Sequence, residues 1–175
     1  VYYYAGEFDW CQAQLDVLKA STSKLIANDA LALSVLITDN YNMDTSEVAM
    51  KLFAIGDMYV AQKKYSKALR IYESIYNQFQ NHSLNDDILF RKSQVFKIQQ
   101  MQDKAIDALK QLEEEFPGSI ILDKALLSIA KLYEEDLNDF ESAKKYYRKI
   151  LFDHPSSLYA VSYTHLTLPT IGVVL

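Results

Sequence analysis

Apolar and polar residues follow one another along this chain with a helical rhythm, and the rhythm recurs at long range. Val48, Leu52, Ile55 and Tyr59 line one face of a predicted helix, and Tyr65, Ala68, Tyr72, Ile75 and Phe79 line a second. The pair of stripes returns as Leu89, Ser93 and Phe96 followed by Ala105, Leu109, Leu112 and Phe116. It returns again as Leu126, Ile129, Ala130 and Tyr133 followed by Phe140, Ala143, Tyr147 and Ile150. The aromatic residue closing the first stripe recurs at Tyr59, Phe96 and Tyr133, 37 residues apart each time. The small residue of the second stripe recurs at Ala68, Ala105 and Ala143, after 37 and then 38 residues. A fixed period of this size predicts an all-α stack of helix hairpins.

The joints agree with the stripes. Short polar turns, Gln62-Lys63-Lys64, Gln99-Gln100-Met101-Gln102 and Asp136-Leu137-Asn138-Asp139, divide the two helices of each unit. Tyr133 to Ala143 is one residue longer than the equivalent intervals, and the extra residue is expected in the turn, where insertions cost little. Phe116-Pro117-Gly118-Ser119 and His154-Pro155-Ser156-Ser157 end the second helices, because proline stops a helix and serine caps the next. Asp44 or Thr45, with Glu47 in the first turn, is the expected start of the first full unit. Gly56, Ser93 and Ala130 share one slot, where a small side chain should let the partner helix come close at Ala68, Ala105 or Ala143.

Upstream, Tyr2, Phe8, Cys11, Leu15 and Leu18 match the second-helix spacing, with Cys11 in the small-residue slot. The single cysteine reads as a buried apolar residue rather than a nucleophile or metal ligand. The chain is therefore expected to open within a unit. Leu25, Ala32, Leu33, Leu36 and Ile37 predict one extra helix over 24–40, capped by Asn28 or Asp29. The expected organisation is a partial unit at 1–22, that extra helix, units at 45–80, 86–117 and 123–155, and the start of a further helix at 156–160.

Residues 161–175 carry no repeat signature and no charge apart from His165. One choice of codons for Val161 to Thr170 resembles a transposon adapter used in sequencing libraries. On that reading the tail is non-native and His165 carries no function; the rival is a genuine C-terminal strand or tail.

Composition narrows the function classes. The chain has 175 residues, half of them apolar, and a net charge of −5 with both signs interspersed. That balance argues against a nucleic-acid surface. No apolar run is long enough to span a membrane. His82, His154 and His165 are far apart in sequence, and neither a phosphate loop nor an HExxH or CxxC spacing occurs. The acidic runs Glu113-Glu114-Glu115 and Glu134-Glu135-Asp136 lie among lysines and read as solvated faces. No catalytic, metal or cofactor site is expected.

The order Leu52, Gly56, Tyr59, then Ala68, an aromatic, an apolar residue and a closing proline resembles the tetratricopeptide repeat. The resemblance covers residues 45–160, although the early tryptophan is absent, Lys92 replaces an apolar residue and Gln80 stands where proline is usual. It implies a right-handed superhelical solenoid, a fragment of a longer array. The Pro-x-Ser ending is similar to envelope-associated bacterial repeat proteins and implies the periplasmic side of a bacterial envelope. First helices of such units line a concave groove. By alignment the groove positions are Met50, Phe53, Asp57 and Val60; Asp87, Phe90, Gln94 and Lys97; and Lys124, Leu127, Lys131 and Glu134. The resemblance implies a scaffold that takes a partner's peptide or helix there, with Phe53 and Phe90 as exposed anchors. The Lys/Asn carboxylate clamp of some members is not implied, since Phe53 and Asp57 occupy its places. A regulatory arm of a larger enzyme and a structural spacer remain the alternatives.

Overall fold

The computed structural model describes residues 1–21, 23–41, 47–155 and 157. Among these residues the only regular structure is helical: α1 (Tyr2–Ala5), α2 (Phe8–Ser21), α3 (Lys24–Tyr41), α4 (Val48–Ala61), α5 (Tyr65–Gln78), α6 (Leu84–Ile98), α7 (Gln102–Glu115), α8 (Leu122–Lys131) and α9 (Phe140–Asp153). The expected caps at Asp44 and Thr45, the helix start at 156–160 and the tail at 161–175 lie outside the described residues, Ser157 excepted. The chain divides into two compact units, Val1–Ile88 and Leu89–Leu175, with the division falling inside α6.

The repeat is legible in the backbone itself. Each first helix closes on a residue of positive φ: Lys63 at 58°, Gln100 at 58° and Asn138 at 54°. Around Lys63, the Lys63 N–H bonds the Val60 carbonyl and the Lys64 N–H bonds the Tyr59 carbonyl. Gln100 to Lys97 and Met101 to Phe96 repeat that pair. This is the Schellman closure, which satisfies carbonyls that the helix end would leave bare. A third copy of this bond pair lies at Gly6, φ 75°, where the Gly6 N–H bonds the Tyr3 carbonyl and the Glu7 N–H bonds the Tyr2 carbonyl. The second helices also end alike, at Phe79, Phe116 and His154, with φ between −122° and −130°. The cap expected at Ser119 falls short of the helix: Ile121 is the N-cap of α8, with no side-chain cap bond. Ser119 Oγ accepts the Ile121 N–H at 3.2 Å in the turn before it, as His82 Nδ1 accepts the Leu84 N–H at 3.0 Å ahead of α6.

The extra residue of the last hairpin is not in its turn. Leu132–Asp136 forms a π-helical turn, with the Leu137 N–H reaching back to the Leu132 carbonyl. From Asn138 to Ala143 the spacing equals that from Lys63 to Ala68, so the turn keeps its length. A π-turn inserts one residue while leaving the helix before it and the turn after it unchanged.

In the first unit, α2 packs on α3 and α4 packs on α5, while α1 lies against α4. The small slots are filled as the pattern predicts: Cys11, Gly56 and Ala68 are buried. Burial raises the Cys11 thiol pKa, as it does for a thiol kept among apolar neighbours. Gly56, however, meets Tyr72 rather than Ala68. The buried residues of α4 are Ala49, Met50, Phe53, Ala54 and Gly56. The predicted stripe is rotated away, with Val48 exposed and Leu52, Ile55 and Tyr59 half-buried. The reason is that α1, α3 and α5 all cover α4, so its core face is set by three neighbours.

Helix α3 departs further from expectation. It starts at Lys24, so neither Asn28 nor Asp29 caps it, and Leu25 and Ala32 are exposed. Its seam with α2 is polar. Gln12 Nε2 donates to the Ser34 carbonyl and to Thr38 Oγ1, and Ser34 Oγ donates to Gln12 Oε1 at 2.8 Å. Those bonds bring Ser34 inside and turn Leu25 outward.

In the second unit, α7 packs on α8 and α8 on α9. Ala130, Ala143 and Tyr147 form a small buried cluster, with Leu127, Tyr133 and Tyr146 against it.

Candidate functional site

The twelve groove positions divide by burial. Met50 and Phe53 have no exposed surface, and Phe90 retains 6%. The expectation that Phe53 and Phe90 stand exposed is therefore corrected: both are core residues. Phe53 lies against the Tyr72 ring, with centroids 5.5 Å apart. The Lys124 ammonium sits over Phe90, 4.8 Å from its centroid. Sequence pattern alone missed this for α4, because Val48, Ala49, Met50, Leu52, Phe53, Ala54 and Ile55 leave almost no polar face to mark the outside.

Asp57 is half-buried and accepts two tyrosine hydroxyls, from Tyr72 at 2.5 Å and Tyr3 at 2.8 Å. It thereby ties α1 and α5 to α4. Val60 is half-buried on the same helix. Asp87 accepts from the buried Asn40 amide at 3.1 Å.

In the second unit the remaining positions lie on α6, α8 and the π-turn. Gln94 is exposed and accepts from Arg91 at 3.1 Å. Lys97 reaches Asp136 at the end of the π-turn, 3.2 Å away. With Lys124 over Phe90, this ion pair joins the two first helices at both ends. Lys131 is exposed, and Leu127 is half-buried against the alanine–tyrosine cluster. Glu134 accepts the Tyr147 hydroxyl at 2.5 Å. Gln94, Lys97, Lys124 and Lys131 are thus all exposed, whereas Phe53 and Phe90 are out of solvent.

A further set of contacts went unseen in the sequence. Lys67 lies over the Tyr59 ring and Lys104 over the Phe96 ring, at 5.7 and 5.9 Å. The two lysines are themselves 37 residues apart, a signal that was present in the spacing. In the third hairpin Ser142 takes that slot, and Tyr133 instead receives Lys110, whose ammonium also donates to its hydroxyl at 3.2 Å. That hydrogen bond raises the Lys110 pKa. Tyr133 also stacks on Tyr146.

Among the described residues, no group of three or more histidine, cysteine or acidic side chains is placed to hold a metal ion. No described helix is long and apolar enough to cross a membrane. His154 occupies the helix-ending slot of Phe79 and Phe116.

The family model described as tetratricopeptide repeat matches three consecutive segments, residues 52–82, 87–119 and 124–157. They coincide with the three hairpins. No curated protein matches the chain.

Proposed function

We propose that this chain, which belongs to the tetratricopeptide repeat family, is a non-catalytic scaffold that receives a peptide or helix of a partner protein on its first helices. Repeats of this family are generally protein–protein interaction modules. The observation that carries the reading is the pair of contacts between α6 and the α8 hairpin, Lys124 over Phe90 and Lys97 on Asp136, with exposed Gln94 and Lys131 falling between them along the two helices. Since Phe53 and Phe90 are buried, recognition there is polar: Gln94 offers an amide to a partner's backbone, and the lysines favour carboxylates. Val60, Asp57, Leu127 and Glu134 shape and brace the first helices more than they contact a partner.

A peptide library displayed on phage tests this. Selection on the unaltered chain should enrich a related set of sequences that a Gln94→Arg/Lys131→Glu variant rejects. Equal enrichment on both proteins would remove this surface from consideration.

A further inference from the structure

The outer face of α9 is marked by a stripe of exposed aromatic and cationic side chains. Phe140, Lys144, Arg148 and Phe152 recur every fourth residue and so form one stripe along it. All four are exposed, Phe140 at 62% and Phe152 at 79%, and Lys145 is exposed beside them. Among the described residues, none of these three cations has a carboxylate partner, whereas Lys19, Lys51, Lys97 and Lys149 all do. Unpaired cations in an acidic chain, bracketed by exposed rings, are not explained by solubility alone.

The equivalent face of α7 shows what such a face does. The residues 38 positions earlier are Ile106, Lys110 and Glu113, corresponding to Lys144, Arg148 and Leu151. Ile106 is buried, Lys110 bonds and covers Tyr133, and Glu113 pairs with Lys149. This face of α7 is thus where the next hairpin docks, through a cation on a tyrosine and a carboxylate on a lysine. On α9, Lys144 and Arg148 are exposed where Ile106 and Lys110 are covered, and Leu151, in the place of Glu113, is half-buried. Residues 158–175 contain no carboxylate side chain, so they offer no acid for these cations.

We propose that the α9 face, through Lys144, Lys145 and Arg148 with Phe140 and Phe152 at its ends, docks an acidic amphipathic helix of a protein partner. The occupant would place carboxylates against the cations and apolar side chains against the two rings, continuing the hairpin-on-hairpin contact seen on α7. This face is separate from the α6 and α8 surface and stands or falls independently of it.

The test uses the full chain and a synthetic amidated helical peptide of about 20 residues, with Glu and Leu repeating at i and i+4 positions. Titration should show binding that weakens with salt, and by about tenfold or more in Lys144→Glu/Arg148→Glu. Phe152→Ala should weaken it with the circular dichroism spectrum unchanged. The charge-reversed chain should instead take up the same peptide with Lys in place of Glu, which rules out misfolding as the cause of the loss. Absence of binding at millimolar peptide, or equal binding of a Gln-for-Glu peptide, would overturn the proposal. So would capture of phosphatidylserine vesicles through these residues without peptide binding, which would mark the stripe as a membrane-surface contact.

Discussion

A Cβ placed on Gly56 would lie 2.5 Å from Cε1 of Tyr72. The ring is buried, tethered through its hydroxyl to Asp57, and backed by Phe53, so it cannot swing clear cheaply. Gly56→Ala should destabilise the chain by about 1–3 kcal/mol, against an alanine helix preference of about 1 kcal/mol. Gly56→Leu should cost more. A thermal melt in which Gly56→Ala gains stability would show that Tyr72 can yield.

Phe53→Ala should destabilise by about 3–5 kcal/mol, the usual cost of emptying a fully buried aromatic site. Phe90→Ala should also destabilise. Gln94→Ala, at the surface, should stay within about 0.5 kcal/mol of the parent. Urea unfolding separates these outcomes, and a Phe53→Ala chain of undiminished stability would contradict its place in the core.

Lys63 and Gln100 hold a left-handed conformation that suits glycine. Lys63→Gly and Gln100→Gly should each stabilise by about 0.5–1 kcal/mol, the relieved backbone strain exceeding the added freedom of the unfolded chain. Asn138→Gly should gain less, because asparagine already tolerates this region. Calorimetric melting of the three single variants should rank them in that order, and a loss of stability at Lys63 would count against the turn geometry.

Asp139 caps α9, accepting the Ser142 N–H at 3.1 Å. Hydrogen bonds from Ser142, side chain first and then backbone, hold its carboxyl below the usual aspartate range. A depressed folded pKa contributes stability that is present above the unfolded value and lost as pH falls through the folded one. Asp139→Ala should therefore lower Tm by about 2–4 °C at neutral pH. The difference should shrink below about pH 4. A gap that stays constant down to pH 2 would show that the charged cap is not its origin.

The hairpins and their period were open to sequence reading because they depend on burial, which composition records directly. Ala68, Ala105 and Ala143 are buried where the pattern puts them, and so is Cys11. The face of α4 was not legible, since an apolar run covered by several helices has no polar side to orient it. The left-handed closures escaped notice because two of their four residues are Lys63 and Gln100, which carry no turn signature, unlike Gly6 and Asn138. At α6 and α8, Gln94 and Lys131 were placed at the surface by spacing alone, whereas the Lys124–Phe90 and Lys97–Asp136 contacts needed coordinates.

The π-turn at Leu132–Asp136 bears on how such units can vary in length. The one residue by which this unit exceeds the other two is accommodated within the helix there, and the turn and the second helix continue one position later. Length change in this kind of unit is therefore not confined to its loops. An alignment gap for the third hairpin belongs between Tyr133 and Asn138, inside the helix. Placing it in the turn would set Asn138 against Lys64 rather than Lys63, and the shared left-handed position would vanish from view.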